Sequence, residues 1–365
     1  MRKLASIQEI RAIEPIEGAD RIEVATINDW KVVVAKDVGH KVGDKVVYCE
    51  IDSFLPIQPE FEFLRKSSYK KMESQEGFRL KTIRLRGQYS QGLILPLSGA
   101  QDVSNRLGND TDLSKLDIDT EVTELLGIVK YEPPIPANLG GKVKGNFPSF
   151  LKRTDEERIQ NLTKEYQSYR EREGKWYVAE KLDGSSSTFY MRDGEFGVCS
   201  RNLDLARPEP VEPGKMVMCG DGVERPVQEN SFWKVARELD LEEKLKSLNR
   251  NISLQGELIG EGVQKNPYKI KGHTVRFFNA FDIDKYEYLP LGEFKALIYD
   301  LGLDTVPIID EEFELPETID ELIRKADGKS ELNLNTTREG LVIRSHDRKI
   351  SFKAISNKFL LKQKD

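Results

Sequence analysis

The chain has 365 residues, 38% of them hydrophobic, and its 56 basic and 62 acidic residues give a net charge of −6. This composition excludes a largely disordered chain, because disorder accompanies fewer apolar groups and a larger net charge. The apolar runs are far shorter than the roughly 20 residues that span a bilayer, so we expect no membrane segment. Three widely spaced cysteines and three scattered histidines argue against a disulfide framework and a structural zinc site. We therefore expect a multi-domain protein of the cytoplasm or another reducing compartment.

The first hundred residues consist of short alternating segments separated by turns. Residues 21–27 alternate, residues 28–29 turn, and residues 30–35 return, which predicts a β-hairpin. Further strands are predicted at 45–51, 78–85 and 91–96. A meander of short strands is typical of a small β-barrel, most simply an OB-fold. We assign this domain to residues 1–125.

Two segments of this acidic chain concentrate positive charge. From 63 to 86, eight basic residues stand against two acidic ones, and from 344 to 364 seven stand against one, so each segment carries a local charge of +6. Tyr69, Phe78 and Tyr89 accompany the first segment, a mixture that nucleic-acid binders use for stacking and phosphate contact. The alternatives are that these rings fill the barrel and that each basic segment is an ordinary solvated surface.

A proline- and glycine-rich stretch follows and predicts a linker at 126–145. The second domain is therefore expected at 146–365.

Three helices are predicted in this second domain. Thr154 and Glu157 form a capping box at the start of an apolar stripe with helical spacing, which predicts a helix beginning at Thr154. Hydrophobic spacing predicts further helices near 230–248 and 318–326. Strands and glycine turns occupy most of the remaining sequence.

A candidate nucleophile follows the strand that begins at Trp176. Lys181 ends this strand, and Asp183 and Gly184 follow two and three positions later. A lysine that ends a buried strand loses hydration, which lowers its pKa and frees the amine as a nucleophile. The glycine lets backbone N–H groups approach a phosphate. Alone, Lys-x-Asp-Gly is a weak pattern that an exposed turn would also satisfy.

Further motifs follow in the same domain and strengthen the pattern. They are a Ser-Arg-Asn containing Arg201, a glycine-flanked Glu257, an aromatic strand at 277–283, a strand that follows Glu339, and a strand that reaches Lys353. In this order, the series resembles the motifs of the covalent nucleotidyltransferases, the polynucleotide ligases and messenger-RNA capping guanylyltransferases.

The domain order narrows the resemblance. DNA ligases and capping enzymes carry an OB domain after the last lysine motif, whereas only 12 residues follow Lys353 here. Residues 147–161 are also similar to the segment before the nucleophile in nick-sealing RNA ligases. The chain therefore resembles the Deinococcus and Naegleria type of ATP-dependent RNA ligase over nearly its whole length. This implies an α+β fold, with an N-terminal OB-fold β-barrel before a nucleotidyltransferase domain of antiparallel sheets with flanking helices.

The resemblance implies a reaction through covalent intermediates. Lys181 would attack the α-phosphorus of ATP to form lysyl–AMP, and Lys353 would hold the α-phosphate. AMP would then pass to an RNA 5′-phosphate, and a 3′-OH would displace it, at nicks in RNA duplexes or RNA/DNA hybrids. Asp183, Glu257 and Glu339 would bind Mg²⁺ or Mn²⁺, with a ribose contact as the alternative for Glu257. We expect the protein to act as a monomer.

The remaining nucleotide contacts are also implied by this resemblance. Phe281 would stack on adenine with Val342 beneath the other face, and Glu180 would belong to the nucleotide pocket. Arg201 would lie near the ribose or the reactive 3′ end. Arg158 would meet the β- and γ-phosphates, with a surface ion pair to a neighbouring carboxylate as the alternative.

One position departs from the family pattern. Related RNA ligases often have a second lysine two residues after the first in the last motif, where this chain has Ile355. Whether Lys353 acts alone or Lys358 assists is therefore open. Two other functions remain as alternatives, a DNA-joining ligase and a non-catalytic RNA-binding protein on a ligase scaffold.

Overall fold

The structure is a computed structural model that describes residues 3–72, 75–99, 101–107, 111–131, 143–208, 216–218, 224–226 and 230–362. The helices are α1 (Arg65–Ser68), α2 (Tyr166–Glu171), α3 (Ser231–Glu238), α4 (Leu241–Ser247), α5 (Leu291–Asp300), α6 (Ile319–Ala326) and α7 (Asn357–Lys362). No helix within the described residues is long and apolar enough to cross a membrane.

The N-terminal domain is built from β-strands that pair partly with neighbours in the chain and partly with strands further along it. They are β1 (Ala5–Pro15), β2 (Ile22–Ile27), β3 (Trp30–Ala35), β4 (Lys45–Cys49), β5 (Ser53–Pro56), β6 (Tyr69–Met72), β7 (Gln75–Arg79), β8 (Ile83–Leu85), β9 (Gln88–Ser90), β10 (Leu93–Pro96) and β11 (Val129–Lys130). One sheet has the order β10-β4-β1-β2-β3 and a second has the order β11-β5-β7-β6. Alternate side chains of these strands form the core of an OB-fold domain.

The predicted hairpin at 21–35 is confirmed, with Ile27 opposite Trp30 across the turn. The strand predicted at 78–85 is instead divided into β7 and β8. Leu80 keeps the backbone paired with the start of β5 through a 2.9 Å hydrogen bond from the Leu80 N–H to the Ser53 carbonyl. After Thr82 the chain leaves the sheet, so β8 pairs only with β9 and forms a separate hairpin.

The second domain contains two larger sheets. Their strands are β12 (Val143–Asn146), β13 (Glu157–Arg158), β14 (Trp176–Lys181), β15 (Ser185–Arg192), β16 (Glu195–Cys199), β17 (Leu203–Leu205), β20 (Ile252–Gly260), β21 (His273–Asp282), β22 (Glu287–Tyr288), β23 (Ile308–Phe313), β24 (Gly340–Ser345) and β25 (Ser351–Ile355), with a separate pair of β18 (Met216–Met218) and β19 (Glu224–Pro226). The sheet orders are β12-β17-β16-β15-β20-β21-β22 and β13-β25-β24-β14-β23, antiparallel except between β13 and β25.

The helix predicted from Thr154 is wrong. Residues 157–158 form β13, which adds to the edge of β25, and only 166–171 are α-helical in this region. Thr154 of the apparent capping box instead hydrogen-bonds the Ser186 hydroxyl at 2.8 Å, and Glu157 accepts hydrogen bonds from the Arg158 N–H and the Asn161 side chain. The helix predicted at 318–326 is confirmed as α6, whose true capping box joins Thr318 and Glu321.

The helical region predicted near 230–248 forms two helices rather than one. α3 ends before Asp240, which has a left-handed backbone with φ 54°, and α4 begins at Leu241. The predicted linker, 126–145, overlaps the sheets of both domains. β11 pairs with β5 of the first domain, and β12 pairs with β17 of the second.

Candidate active site

Three adjacent strands place the lysines of the first and last motifs on one face of a sheet. β14 pairs with β24, and β24 pairs with β25, so that Ala179, Val342 and Lys353 lie in one row across the sheet. Lys181 lies in the next row, opposite Gly340. Because directly opposite residues point to the same face, Lys181, Val342 and Lys353 share one surface.

Lys181 is surrounded by carboxylates. Its Nζ lies 2.8 Å from Oε2 of Glu339, and its side chain is 26% exposed. Burial alone would lower the pKa of Lys181, but the negative charges of Glu339, Glu257 and Asp183 outweigh it, and the pKa is raised. The expectation that burial lowers the pKa of this lysine and leaves it as a free amine is therefore wrong. Lys181 is held here as an ammonium paired with Glu339.

Hydrogen bonds fix the carboxylate of Glu257 and the backbone of Asp183. Glu257 accepts a 3.1 Å hydrogen bond from the Gly184 N–H, and the Asp183 N–H donates to the Tyr268 hydroxyl at 2.6 Å. Burial, followed by repulsion from Glu339, raises the pKa of Asp183 to about 7. Burial is also the main cause that raises the pKa of Glu257 to about 8. Both acids are therefore buried and lie close to other negative charges.

Gly184 is required by strand packing. A Cβ at this position would lie 2.5 Å from the carbonyl oxygen of Leu258 on β20, so no larger residue fits against this strand. The sequence predicts that this glycine lets the backbone approach a phosphate. In the structure, the glycine is needed because two backbone segments pass close to each other. This close approach brings Glu257 of one sheet towards Lys181 of the other.

The acidic residues suit a divalent cation in their chemistry. Within the described ranges, no three Asp, Glu, His or Cys side chains already converge as a finished metal site. Asp183, Glu257 and Glu339 nevertheless offer the oxygen donors that Mg²⁺ and Mn²⁺ prefer. A cation between them would relieve the repulsion that raises the pKa of Asp183.

The side chain of Glu180 points away from this cluster. It is 1% exposed, and its Oε2 accepts a 2.8 Å hydrogen bond from the Glu331 N–H. Successive residues of a strand face opposite sides, so Glu180 and Lys181 cannot both point into the same cleft. The Glu180 side chain therefore holds the loop before Glu339. The prediction that it belongs to the nucleotide pocket is contradicted.

Phe281 is buried in the domain core, contrary to its predicted position against a base. It is 0% exposed and packs in a cluster that includes Tyr190 and Cys199. The aromatic that lies beside the nucleophile strand is Phe278, which is partly exposed and packs against the cluster formed by Ala179, Leu182 and their neighbours.

A β-bulge explains this difference. Gln255 pairs with Asn279 and the next residue, Gly256, pairs with Phe277, so Phe278 is an extra residue on β21. Bulges turn a side chain out of the regular alternation and are frequent beside active sites. An analysis that assumes regular alternation along a strand cannot predict a bulge. The two consecutive phenylalanines, Phe277 and Phe278, are the local sign of it in the sequence. The guanidinium of Arg344 lies 5.6 Å from the Phe278 ring centroid and covers part of the ring.

Arg201 and Lys353 lie near a common carboxylate, Asp155. Arg201 forms an ion pair with Asp155. Although burial by itself raises it, the pKa of Asp155 is lowered because Arg201, Lys130 and Lys353 are positively charged. The site is therefore cationic beside Lys353 and acidic around Lys181, which suits a phosphate and a metal ion side by side.

Arg158 is not placed to bind phosphate. Its side chain is 6% exposed, and Nη2 lies 3.0 Å from Oδ2 of Asp52 in the N-terminal domain. The guanidinium also lies 5.7 Å from the Trp30 ring centroid. Both the predicted contact with the β- and γ-phosphates and the alternative of a surface ion pair with Asp155 or Glu157 are contradicted. Arg158 instead joins the two domains immediately beside Lys353, its partner in the β13–β25 pairing.

The departure at Ile355 has a structural explanation. Ile355 is 3% exposed and packs into the N-terminal core cluster that contains Trp30 and Tyr48. Lys358 lies outside the site, because its Nζ is 3.4 Å from Oδ2 of Asp327. Of the two lysines considered, Lys353 is the one on the nucleophile face.

The two basic segments differ in the structure. In the C-terminal segment, Arg344 and Arg348 are buried, so this segment is no continuous surface. In the first segment, Arg65 pairs with Glu62 and Lys71 pairs with Glu76, which reduces the available charge. Of the three aromatics in this segment, Phe78 is buried in the barrel, whereas Tyr69 and Tyr89 are half-buried.

Comparison with known proteins identifies similar sequences and structures. Residues 4–97 match an OB-fold domain model, and residues 174–362 match an RNA ligase model. A variant of Naegleria gruberi RNA ligase with AMP and Mn is 41% identical, with a TM-score of 0.86 and coverage of 100% of both chains. A second variant, with ATP and Mn, is 40% identical, with a TM-score of 0.85 and coverage of 99% of both chains. The same ligase with PPi has 40% identity, a TM-score of 0.85, and coverage of 100% of this chain and 99% of that chain. No curated protein sequence matches this chain.

Proposed function

The chain belongs to the RNA ligase family, and from this premise we propose that it uses ATP to join RNA 3′-OH and 5′-phosphate ends at nicks in duplexes. The observation that carries the proposal is the Lys181–Glu339 pair on one sheet face with Lys353, opposite Glu257. A nucleophile, a phosphate-binding cation and hard oxygen donors are the groups that nucleotidyl transfer needs.

We propose three successive phosphoryl transfers. In the first, Lys181 gives up its proton to solvent, the neutral amine forms a bond to the α-phosphorus of ATP, and the bond to the β-phosphate oxygen breaks, releasing pyrophosphate. In the second, an RNA 5′-phosphate oxygen attacks the same phosphorus, which restores the lysine and leaves AMP-capped RNA. In the third, a 3′-OH attacks the 5′-phosphate and AMP leaves. Solved structures of the Naegleria relative with ATP, AMP and PPi support this nucleotide chemistry.

Each residue of the site has a distinct task in this proposal. Lys353 neutralises charge on the α-phosphate, and this interaction becomes stronger in the transition state. Val342 and the bulged Phe278 supply apolar surfaces for the adenine. A Mg²⁺ or Mn²⁺ ion held by Asp183, Glu257 and Glu339 would stabilise negative charge on the phosphate oxygens. Arg201, which is exposed, would contact the ribose or the reactive 3′ end.

The experiment that tests the proposal follows AMP from ATP to RNA. The purified full chain is incubated with α-labelled ATP and Mn²⁺, and the label on the protein is measured after denaturing electrophoresis. Nicked RNA is then added and the ligated strand and AMP-capped RNA are quantified. Nicked DNA and unnicked single strands in parallel reactions distinguish the DNA ligase alternative and test the preference for nicks.

The Lys181→Ala and Lys181→Arg variants should transfer no label to protein. Alanine lacks the nucleophile, and arginine remains protonated at neutral pH. A Lys175→Ala variant is the matched control, because Lys175 is an exposed lysine just before the same strand. Covalent AMP on Lys181→Ala would contradict the assignment of the nucleophile, and absence of label on the wild-type protein would support the non-catalytic alternative.

A further inference from the structure

The β8–β9 hairpin is a small arm that stands outside the main sheets of the N-terminal domain. Its two strands pair only with each other, and Arg86 and Gly87 form a turn with φ values of 47° and 87°. Two consecutive left-handed residues are the signature of a tight type I′ hairpin turn. The arm therefore has a defined shape before any partner binds.

The base of the arm is held rigidly at the domain junction. The Ser90 hydroxyl accepts a 3.0 Å hydrogen bond from the Val33 N–H, and the Gln91 amide donates to the Asn357 side chain of α7 at 3.1 Å. The preceding residue of the second domain, Ser356, donates its N–H to the Glu339 carbonyl at 2.9 Å. The arm is therefore attached to Asn357, the residue next to one that bonds the backbone of Glu339, whose side chain pairs with Lys181.

The two faces of the arm present different chemistry. Ile83 and Leu85 lie on one face and are 40% and 38% exposed. On the other face, the Arg84 guanidinium lies 5.5 Å from the ring centroid of Tyr89, its partner across the hairpin, and Nε donates to the Gly87 carbonyl at 2.9 Å. Arg84 is thus oriented in advance, and the exposed Arg86 extends from the turn.

The charge of the surrounding sequence identifies the class of partner. Residues 77–101 contain four basic residues and no Asp or Glu. An arm free of acidic residues complements a polyanion, whereas its positive charge would gain little from an apolar protein surface. In A-form RNA the minor groove is wide and shallow, which admits apolar side chains flanked by cations that contact the phosphates.

We propose that the β8–β9 hairpin is an RNA-binding arm, in which Ile83 and Leu85 contact the sugars and bases of the minor groove while Arg84 and Arg86 contact the flanking phosphates. This inference rests on the proposed function and adds a location and a mode of contact to it. It assigns the arm two separable contributions, one apolar and insensitive to salt, the other electrostatic and salt-dependent.

The test compares three double variants of the full chain. The first is Ile83→Ser with Leu85→Ser, the second is Arg84→Gln with Arg86→Gln, and the control is Lys41→Gln with Val42→Ser. Lys41 and Val42 are exposed in the turn before β4 of the same domain. Binding of fluorescent nicked RNA to the lysyl–AMP enzyme is measured by anisotropy over a series of salt concentrations, and self-adenylylation, which needs no RNA, checks that each variant is folded.

The serine pair should weaken RNA binding about ten-fold with an unchanged salt slope, because it removes apolar contact only. The arginine pair should weaken binding at low salt and reduce the slope of log K against log salt by about 1 to 2, corresponding to two phosphate contacts. RNA binding by both variants equal to that of the control would overturn the inference. Failure of the wild-type protein to become adenylylated would instead overturn the proposed function, and the RNA affinities of the unmodified proteins would still decide the role of the arm.

Discussion

At the scale of single residues, the site is a largely buried cluster of one lysine and three acidic side chains. Lys181 is kept protonated by Glu339, Glu257 and Asp183, although burial alone would favour the neutral amine. Asp183 and Glu257 are crowded enough that their pKa values rise towards neutrality. ATP and a cation would change this balance by supplying charges of both signs, so the site should become competent only when both are bound.

Removal of single carboxylates should weaken the response to metal. Asp183→Ala and Glu339→Ala should each lower the rate of self-adenylylation at least about ten-fold and raise the metal concentration needed for half-maximal rate, because each removes one oxygen donor. Asp310→Ala is the control, since this exposed carboxylate lies on the neighbouring strand β23. A wild-type metal titration in either site variant would exclude that residue from the metal site.

The pH dependence of self-adenylylation should reflect these raised pKa values. The raised pKa of Lys181 makes the neutral amine scarce, and the raised pKa values of Asp183 and Glu257, about 7 and about 8, keep these acids protonated at lower pH. Both effects make the rate increase with pH. Glu339→Gln, measured at saturating metal, should shift the profile to lower pH because it removes the negative charge nearest Lys181. A rate that falls as pH rises above 7 would contradict this account.

At the scale of the elements, alternation along a strand and its interruption decide which side chains face the cleft. Regular alternation turns Glu180 away from Lys181 and towards the loop before Glu339. On β21, the bulge at Phe278 interrupts the alternation and directs this ring towards the nucleophile strand. The edge position of β13 likewise gives 157–158 a strand partner, where the local pattern indicates a helix.

The two phenylalanines of β21 should therefore respond differently to truncation. Phe278→Ala should raise the KM for ATP about ten-fold or more with a small loss of stability, because base stacking contributes roughly 1–3 kcal/mol. Phe281→Ala should lower the free energy of unfolding by about 3–5 kcal/mol, as expected for a buried aromatic. Steady-state adenylylation and chemical denaturation measure the two effects. The opposite pattern would return Phe281 to the nucleotide site.

At the scale of the whole molecule, the two domains are joined by a buried interface beside the active site. Arg158 reaches Asp52, the Trp30 indole N–H donates to the Asn161 side chain at 2.6 Å, and Ile355 completes the N-terminal core. A fragment without the N-terminal domain would expose these groups. We therefore expect truncation to impair folding as well as RNA binding, so point variants separate the two functions better.

The Arg158–Asp52 ion pair at this interface should contribute more to the free energy of unfolding than an exposed ion pair does. Asp52→Asn keeps the side-chain shape and suits the left-handed backbone at this position, φ 71°. It removes the negative charge that faces the buried Arg158, which should lower the free energy of unfolding by about 3–5 kcal/mol. Glu62→Gln, which breaks the exposed Arg65–Glu62 pair, should leave the free energy of unfolding nearly unchanged, because water screens this pair. Equal effects of the two variants in denaturant titrations would show that the interface is loosely held.

Features that depend on covalent order and on regular local patterns could be predicted from the amino-acid sequence. They include the Lys181 motif on its strand, the later carboxylates, the first hairpin and the helix at 318–326, because neighbouring residues carry enough of the signal. The position of Phe278, the domain contact of Arg158 and the core position of Ile355 became known only from the folded structure. A bulge, an edge pairing and a domain interface join residues that are distant in the chain, and local periodicity contains no information about which distant strand will pair.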